Sequence, residues 1–168
     1  MGQRESMKST MLQPLRNGAL ALRPCAADEG GEPPCSEVLR DGRITGKRVP
    51  GRVLEAALDC SDGRTLLFTT DAELYDESLG IHLLDRSLEV LDSASIGIAD
   101  ANEHFHLLMV HGQSLSFRFG GEGDWSLELL ESAAARLPFL GDPPGVHRPF
   151  GFMRHFKLAE APRPVPAP

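Results

Sequence analysis

The residues best suited to recognition form an acidic segment at 71–77, where carboxylates surround the only tyrosine of the chain. Its candidate binding residues are Asp71, Glu73, Tyr75, Asp76 and Glu77. Clustered carboxylates can bind Ca²⁺, but the spacing matches no EF-hand loop and lacks the glycine at its turn. Opposite charge speeds encounter and selects partners, and an aromatic side chain often anchors an interface. The segment therefore predicts a docking surface for a basic protein partner.

A second candidate is a pair of histidines, His104 and His106, separated by one residue. In a β-strand, residues two apart lie on the same face, so both imidazoles would point to one side of the sheet. Imidazole is a common metal ligand, and a carboxylate such as Asp100 or Glu103 could complete a metal site. This pattern supports an alternative function, a metal-binding β-sandwich or a metal-dependent enzyme.

Motifs for covalent catalysis and phosphate binding are absent from the sequence. The chain has no Gly-x-Ser-x-Gly elbow, no glycine-rich phosphate loop before a helix and no Ser-x-x-Lys pair. The cysteine Cys60 lies beside Asp59 and Asp62, whose negative charge disfavours a thiolate nucleophile. We therefore expect no catalytic residues and no cofactor, and a non-enzymatic function is favoured.

Proline content and charge change at the same positions along the chain. Of the 13 prolines, five precede residue 51, eight follow residue 137, and none lies between. Because proline disrupts both sheet pairing and helix interiors, the proline-free stretch predicts the regularly folded body. Residues 51–137 hold 5 Lys/Arg and 16 Asp/Glu, whereas each flank carries a net charge of +2. The flanks either fold back on this acidic body or leave it open to a basic partner.

These boundaries predict four ranges. Residues 1–50 have little apolar periodicity, and we expect an irregular, partly mobile N-terminal extension. Residues 51–137 form the body, 138–160 form a basic aromatic arm that packs on the body, and 161–168 form a proline-rich tail. Three phenylalanines of the arm, Phe150, Phe152 and Phe156, could belong to an added edge strand.

Apolar residues alternate with polar ones in the body, with turn residues between successive runs. Seven such runs predict seven strands, centred near residues 56, 67, 82, 92, 107, 117 and 127. Short links such as Ser61-Asp62-Gly63 favour antiparallel hairpins. Several apolar residues lie out of phase with the main alternation, so one sheet could be covered on its second face by the flanks. These are Leu67, Leu84, Leu91, Leu108 and Val110. We expect an all-β antiparallel sandwich of about seven or eight strands.

An α+β fold is the alternative, because residues 129–137 contain leucine and a run of three alanines before Pro138. Leucine and alanine favour a helix, and proline ends one. A short helix at 129–137 would follow the last strand of the body.

The expected function is that of an acidic β-sandwich binding a basic protein, as an immunity protein or an effector adaptor or chaperone does. The net charge of −7 repels phosphate backbones and disfavours nucleic acid. No apolar run is long enough for a membrane span. Fourteen arginines against three lysines indicate a GC-rich, bacterial coding sequence, and we expect a cytoplasmic protein.

Overall fold

A computed structural model describes residues 9–26, 33–71, 78–97, 104–137 and 141–163. Thirteen strands occur in these ranges: β1 (Leu12–Pro14), β2 (Leu20–Pro24), β3 (Cys35–Arg40), β4 (Arg43–Pro50), β5 (Val53–Cys60), β6 (Thr65–Thr70), β7 (Ser78–Leu84), β8 (Val90–Gly97), β9 (His106–His111), β10 (Ser114–Arg118), β11 (Gly123–Ala135), β12 (Val146–His147) and β13 (Met153–Pro162). The described residues contain no helix, and hence none long and apolar enough to cross a membrane.

The strands form three antiparallel sheets. A six-stranded sheet has the order β1-β5-β6-β7-β8-β12, and a four-stranded sheet has the order β13-β11-β10-β9. These two sheets enclose the main core, in which the Phe117 ring lies 5.2 Å from that of Phe68 and 6.5 Å from that of Trp125. All three rings are buried, and burial of large aromatic side chains is a major source of stability. The predicted all-β, sandwich-like fold is confirmed.

A third sheet, with the order β2-β3-β4, covers the other face of the six-stranded sheet. Leu67 and Leu84 point away from the main core and pack with Val38 and Val49 of the covering sheet. Cover on the second face is therefore present at Leu67 and Leu84, whereas Leu91 and Leu108 are exposed and Val110 packs against the main core. Because β6 is covered on both faces, all six of its residues are buried.

The N-terminal extension differs from its prediction. Residues 1–50 were expected to be irregular, yet β1 to β4 lie within them. These strands bury few apolar side chains, and β4 is largely exposed. The alternation of apolar and polar residues along them is therefore too weak to predict strands from the sequence. Their order comes from pairing, because β1 adds to β5 and β2 to β4 pair with one another.

The seven strands predicted for the body correspond to β5 through β11. β9 departs from simple alternation, because Leu107 packs against the core whereas Met109, two residues later, is 65% exposed. A bulge places Leu107 opposite Phe117 and Met109 opposite Ser116, so β9 has one more residue than β10 in this stretch. The extra residue shifts the inward phase to Val110.

The alternative α+β fold, with a short helix at 129–137, is wrong, because β11 continues to Ala135. After a shift in register, Ala134 and Ala135 pair with Arg154 and Met153 of β13. Pairing with a neighbouring strand thus overrides the helix propensity of this segment.

The C-terminal arm adds strands to both sheets of the sandwich. β13 pairs with β11, and β12 pairs with the edge strand β8. Phe156 is buried in the main core, whereas Phe150 and Phe152 are exposed. β13 also extends to Pro162, into the range expected to be a tail, and residues 164–168 lie outside the described residues.

Candidate functional site

Of the predicted docking residues, the structure describes Asp71 alone. Glu73, Tyr75, Asp76 and Glu77 lie outside the described residues. Asp71 directly follows β6, is half-buried and lines a cavity of about 330 Å³. The predicted acidic surface therefore begins at the wall of this cavity, which we call the His82 cavity after the imidazole in it.

The His82 cavity lies on the face of the six-stranded sheet that the covering sheet leaves partly open. Thr69 pairs with Gly80, and Gly80 pairs with Ser95, so these residues share one face with their neighbours two positions away. The end of β4 forms another wall through Pro50 and Gly51. The polar lining consists of the hydroxyls of Thr69, Ser78, Ser93 and Ser95 together with Asp71, His82, His147 and Arg148.

His82 is only 3% exposed, and its two ring nitrogens differ in their surroundings. The Thr69 hydroxyl donates to the Pro50 carbonyl at 3.0 Å, and its oxygen lies 3.2 Å from His82 Nε2. Because that hydroxyl has a single proton, the tautomer of His82 decides whether Nε2 donates to Thr69 or accepts from it. Nδ1 is buried without a hydrogen-bond partner among the described residues.

Two glycines make room for this pair of side chains. A Cβ on Gly51 would lie 2.5 Å from Thr69 Oγ1. A Cβ on Gly80 would lie 2.6 Å from the same oxygen and 2.7 Å from His82 Nε2. Close approach of the backbone at both positions therefore holds Thr69 and His82 in place.

Burial lowers the pKa of His82 to about 4, although the Pro50 carbonyl opposes this shift by favouring the charged ring. The imidazole is therefore neutral at pH 7. A neutral imidazole has one ring nitrogen that donates and one that accepts a hydrogen bond, and it carries no charge that would attract an anion.

A buried ion network closes one end of the sandwich. Arg148 donates to both carboxylate oxygens of Asp92 at 3.2 Å, and its Nε lies 3.0 Å from Asp142 Oδ2. Its guanidinium also stacks 4.4 Å from the centroid of the Phe156 ring. Asp92 accepts a further hydrogen bond of 2.7 Å from the His155 backbone N–H. The network joins β8 to the C-terminal arm.

The flanks fold back on the acidic body. In the ranges that the structure describes, cations of the flanks form ion pairs with carboxylates of the body, namely Arg40 with Asp59, Lys47 with Glu89, Arg148 with Asp92 and Arg163 with Asp124. These cations are therefore bound within the molecule. Because the whole chain keeps a net charge of −7, an excess of negative charge remains.

The candidate metal ligands His104 and His106 are both exposed, one just before β9 and one at its first residue. Among the residues that the structure describes, no three His, Cys, Asp or Glu side chains are grouped closely enough to hold a metal ion. Asp100 and Glu103, the carboxylates expected to join them, lie outside these residues. The metal site stays a prediction.

Cys60 is poorly suited to nucleophilic chemistry. Burial, reinforced by the Asp62 carboxylate, raises the pKa of its thiol to about 12, against the opposing effect of Arg64. The thiol is therefore protonated at neutral pH, in agreement with the sequence argument.

Sequence reasoning missed the His82 cavity, although a signal for it is present. β7 and β8 carry small or polar residues at alternate positions of their second face, namely Ser78, Gly80 and His82 in β7 and Ser93 and Ser95 in β8. If the second face of these strands were apolar, we would expect another sheet to cover it. Polar residues beside Leu67 and Leu84 instead indicate the position at which the covering sheet ends.

The basic arm expected at 138–160 contains Arg148, and the burial of this side chain against Asp92 was also missed. Comparisons of the chain with protein-family models, with curated proteins and with solved structures found no match in any of the three.

Proposed function

We propose that this protein is a non-enzymatic binding module whose acidic surface docks a basic protein partner. The observation that carries the proposal is the position of Asp71, the first carboxylate of the acidic segment, on the wall of the His82 cavity. The acidic segment thus begins beside a concave polar surface. A partner that brings positive charge would be complementary to the carboxylates of this segment.

The charge distribution supports the same proposal. Flank cations such as Arg40 and Arg148 pair with Asp59 and Asp92, which are body carboxylates outside the acidic segment. The acidic segment at 71–77 adds four carboxylates within seven residues. We assign the protein to the class of bacterial, cytoplasmic immunity proteins or effector adaptors or chaperones, on its size, composition and charge.

Reversal of charge in the acidic segment should weaken partner binding. The variant carries Asp76→Lys and Glu77→Lys, and the expected rise in Kd is about tenfold or more, because each contact with a cation becomes a repulsion. The measurement is capture of the partner by the immobilised chain at several salt concentrations. Capture by the wild type should fall steeply with salt, and capture by the variant should be weak throughout.

A matched control carries Glu122→Lys and Glu131→Lys, which make the same change in net charge at exposed positions elsewhere on the body. It should retain most of the binding. Equal binding by all three proteins would exclude the acidic segment as the docking surface. The alternative metal function would be supported by a different result. In that case a metal ion would be bound stoichiometrically to the wild type and would be lost in the His106→Asn variant.

A further inference from the structure

The C-terminal arm contributes to a second cavity, of about 290 Å³, which the proposed function does not use. We call it the Arg154 cavity, after a buried arginine in its wall. Its charged lining consists of four cations and two carboxylates, namely Arg136, Arg148, Arg154, Lys157, Glu128 and Asp142. A concave surface with an excess of cations is unexpected in a chain whose net charge is −7, and it favours an anionic ligand.

Two of these cations have carboxylates beside them. Arg148 contacts both Asp142 and Asp92. Lys157 lies directly opposite Glu128 in the β11–β13 ladder, where opposite charges attract each other. With Asp92 included, four cations stand against three carboxylates, so one positive charge remains in excess.

Arg154 has no carboxylate partner within the described ranges, although it is only 7% exposed. The protein acceptor that its guanidinium contacts there is the Met153 carbonyl, 3.2 Å from Nη1. Because a guanidinium has five N–H groups, most of its donors remain for a ligand or for water. Residues 138–140, which precede Gly141 and lie outside the described ranges, contain no carboxylate. Burial of a charge without a counter-charge is costly, so the position of Arg154 favours an anion beside it.

The register of β11 and β13 places a second arginine beside Arg154. Ala134 lies opposite Arg154 in the ladder. The N–H of Arg136, the residue after β11, donates to the Phe152 carbonyl at 2.7 Å. Arg136 is therefore a diagonal neighbour of Arg154 on the same face, at a Cα separation of about 7–8 Å that long side chains can span. A Cβ on Gly141, another lining residue, would lie 2.5 Å from Arg136 Nη1, so this guanidinium also lies at the cavity wall.

Two neighbouring guanidinium groups match the chemistry of a phosphate group. Each guanidinium offers two parallel N–H donors as a fork, which fits a pair of oxygens on an oxyanion. A phosphate has enough oxygens and charge for both forks, whereas a single carboxylate has two oxygens and one charge. The volume of about 290 Å³ lies just below the range typical of drug-sized ligands, so the molecule that carries the phosphate is small.

We propose that the Arg154 cavity binds the phosphate group of a small phosphorylated molecule. Arg154 fixes the position of the phosphate through its buried fork, and the exposed Arg136 binds it from the solvent side. This site is separate from the acidic segment, and it does not depend on the basic partner of the proposed function.

The test titrates the full 168-residue chain, carrying ¹⁵N-labelled arginine, with inorganic phosphate at pH 7 and constant ionic strength. The Nε–H resonances of Arg136 and Arg154, assigned by their loss in the variants below, should shift saturably with a Kd of about 0.1–5 mM. Acetate can occupy only one fork and should bind at least about tenfold more weakly. No saturable shift up to about 50 mM phosphate, or equal affinity for acetate, would overturn the inference.

Two phosphate esters test the size of the ligand. Glycerol 3-phosphate should bind at least as tightly as inorganic phosphate, because the cavity has room for its short carbon chain. A phosphoserine peptide should bind more weakly, because most of it lies outside the cavity. Tighter binding of the peptide than of glycerol 3-phosphate would assign the site to a phosphorylated protein and overturn the small-molecule ligand.

Three substitutions separate the two forks from general positive charge. Arg136→Gln removes the exposed fork and should raise the Kd for phosphate at least about tenfold. Arg43→Gln makes the same change in net charge at an exposed position of β4, and its Kd should stay within about twofold of the wild type. Arg154→Lys keeps the charge and loses the fork, and should weaken binding about fivefold or more in protein that urea unfolding shows to be folded. Equal Kd values for Arg136→Gln and Arg43→Gln would contradict the site, whatever the behaviour of Arg154→Lys.

Discussion

Replacement of Arg148 by methionine is expected to lower the free energy of unfolding by about 3–5 kcal/mol. Its side chain is 4% exposed and that of Asp92 is 3% exposed, so neither charge is compensated by water. Removal of the guanidinium leaves the Asp92 carboxylate buried without its cation, and also removes the stacking on Phe156. The loss should loosen the attachment of the C-terminal arm to β8.

Urea unfolding at pH 7 measures this effect. Arg23→Gln breaks an ion pair in which the arginine is 56% exposed, and should cost about 1 kcal/mol or less. Adding Asp92→Asn to Arg148→Met removes the uncompensated charge and should recover part of the loss. If Arg148→Met lowers the free energy of unfolding no more than Arg23→Gln does, the buried ion network does not stabilise the fold as we infer from its burial.

Lowering the pH is expected to destabilise the fold through His82. Burial lowers the pKa of this imidazole from 6.5 to about 4, so the unfolded chain takes up a proton that the folded chain does not. The contribution of the neutral ring is complete above pH 6.5 and is lost as the pH falls toward 4. The shift corresponds to about 3 kcal/mol in total, of which about 2 kcal/mol should be lost between pH 7 and pH 5.

The measurement compares the pH dependence of urea unfolding in the wild type and in His82→Gln. The difference between their slopes isolates His82 from the other histidines. The hydrogen bond from Arg118 holds the pKa of Asp124 below its usual range. Protonation of that carboxyl therefore affects stability at a lower pH than protonation of His82 does. Parallel curves for the two proteins between pH 7 and pH 5 would show that His82 is not held neutral by burial.

The strands in the central part of the fold could be predicted because apolar and polar residues alternate strongly along them. Burial of both faces of β6 could also be predicted, because the adjacent residues Leu67 and Phe68 point to opposite faces and both are apolar. Both side chains are buried in the structure. β2 to β4 could not be read in this way, because order there comes from pairing in a sheet that packs on one cluster of leucines. β11 extends past Leu129 for the same reason, as β13 pairs with residues that would favour a helix alone.

The candidate site was only partly predictable. The carboxylates of the acidic segment are adjacent in sequence, so their clustering needs no fold. The His82 cavity depends on Thr69, Gly80 and Ser95, which come together only through the register of three strands. The Arg148–Asp92 pair spans 56 residues and carries no motif, so only the packing of the arm on β8 reveals it.

The most direct test of the docking proposal is site-specific photo-crosslinking. Benzoylphenylalanine replaces Tyr75 in the acidic segment in one protein, and in a control it replaces Met109, which is exposed on β9. We predict that position 75 cross-links to a basic protein through an arginine- or lysine-rich surface, and that position 109 does not. Equal cross-linking from both positions, or a position-75 adduct with an acidic protein, would contradict the account.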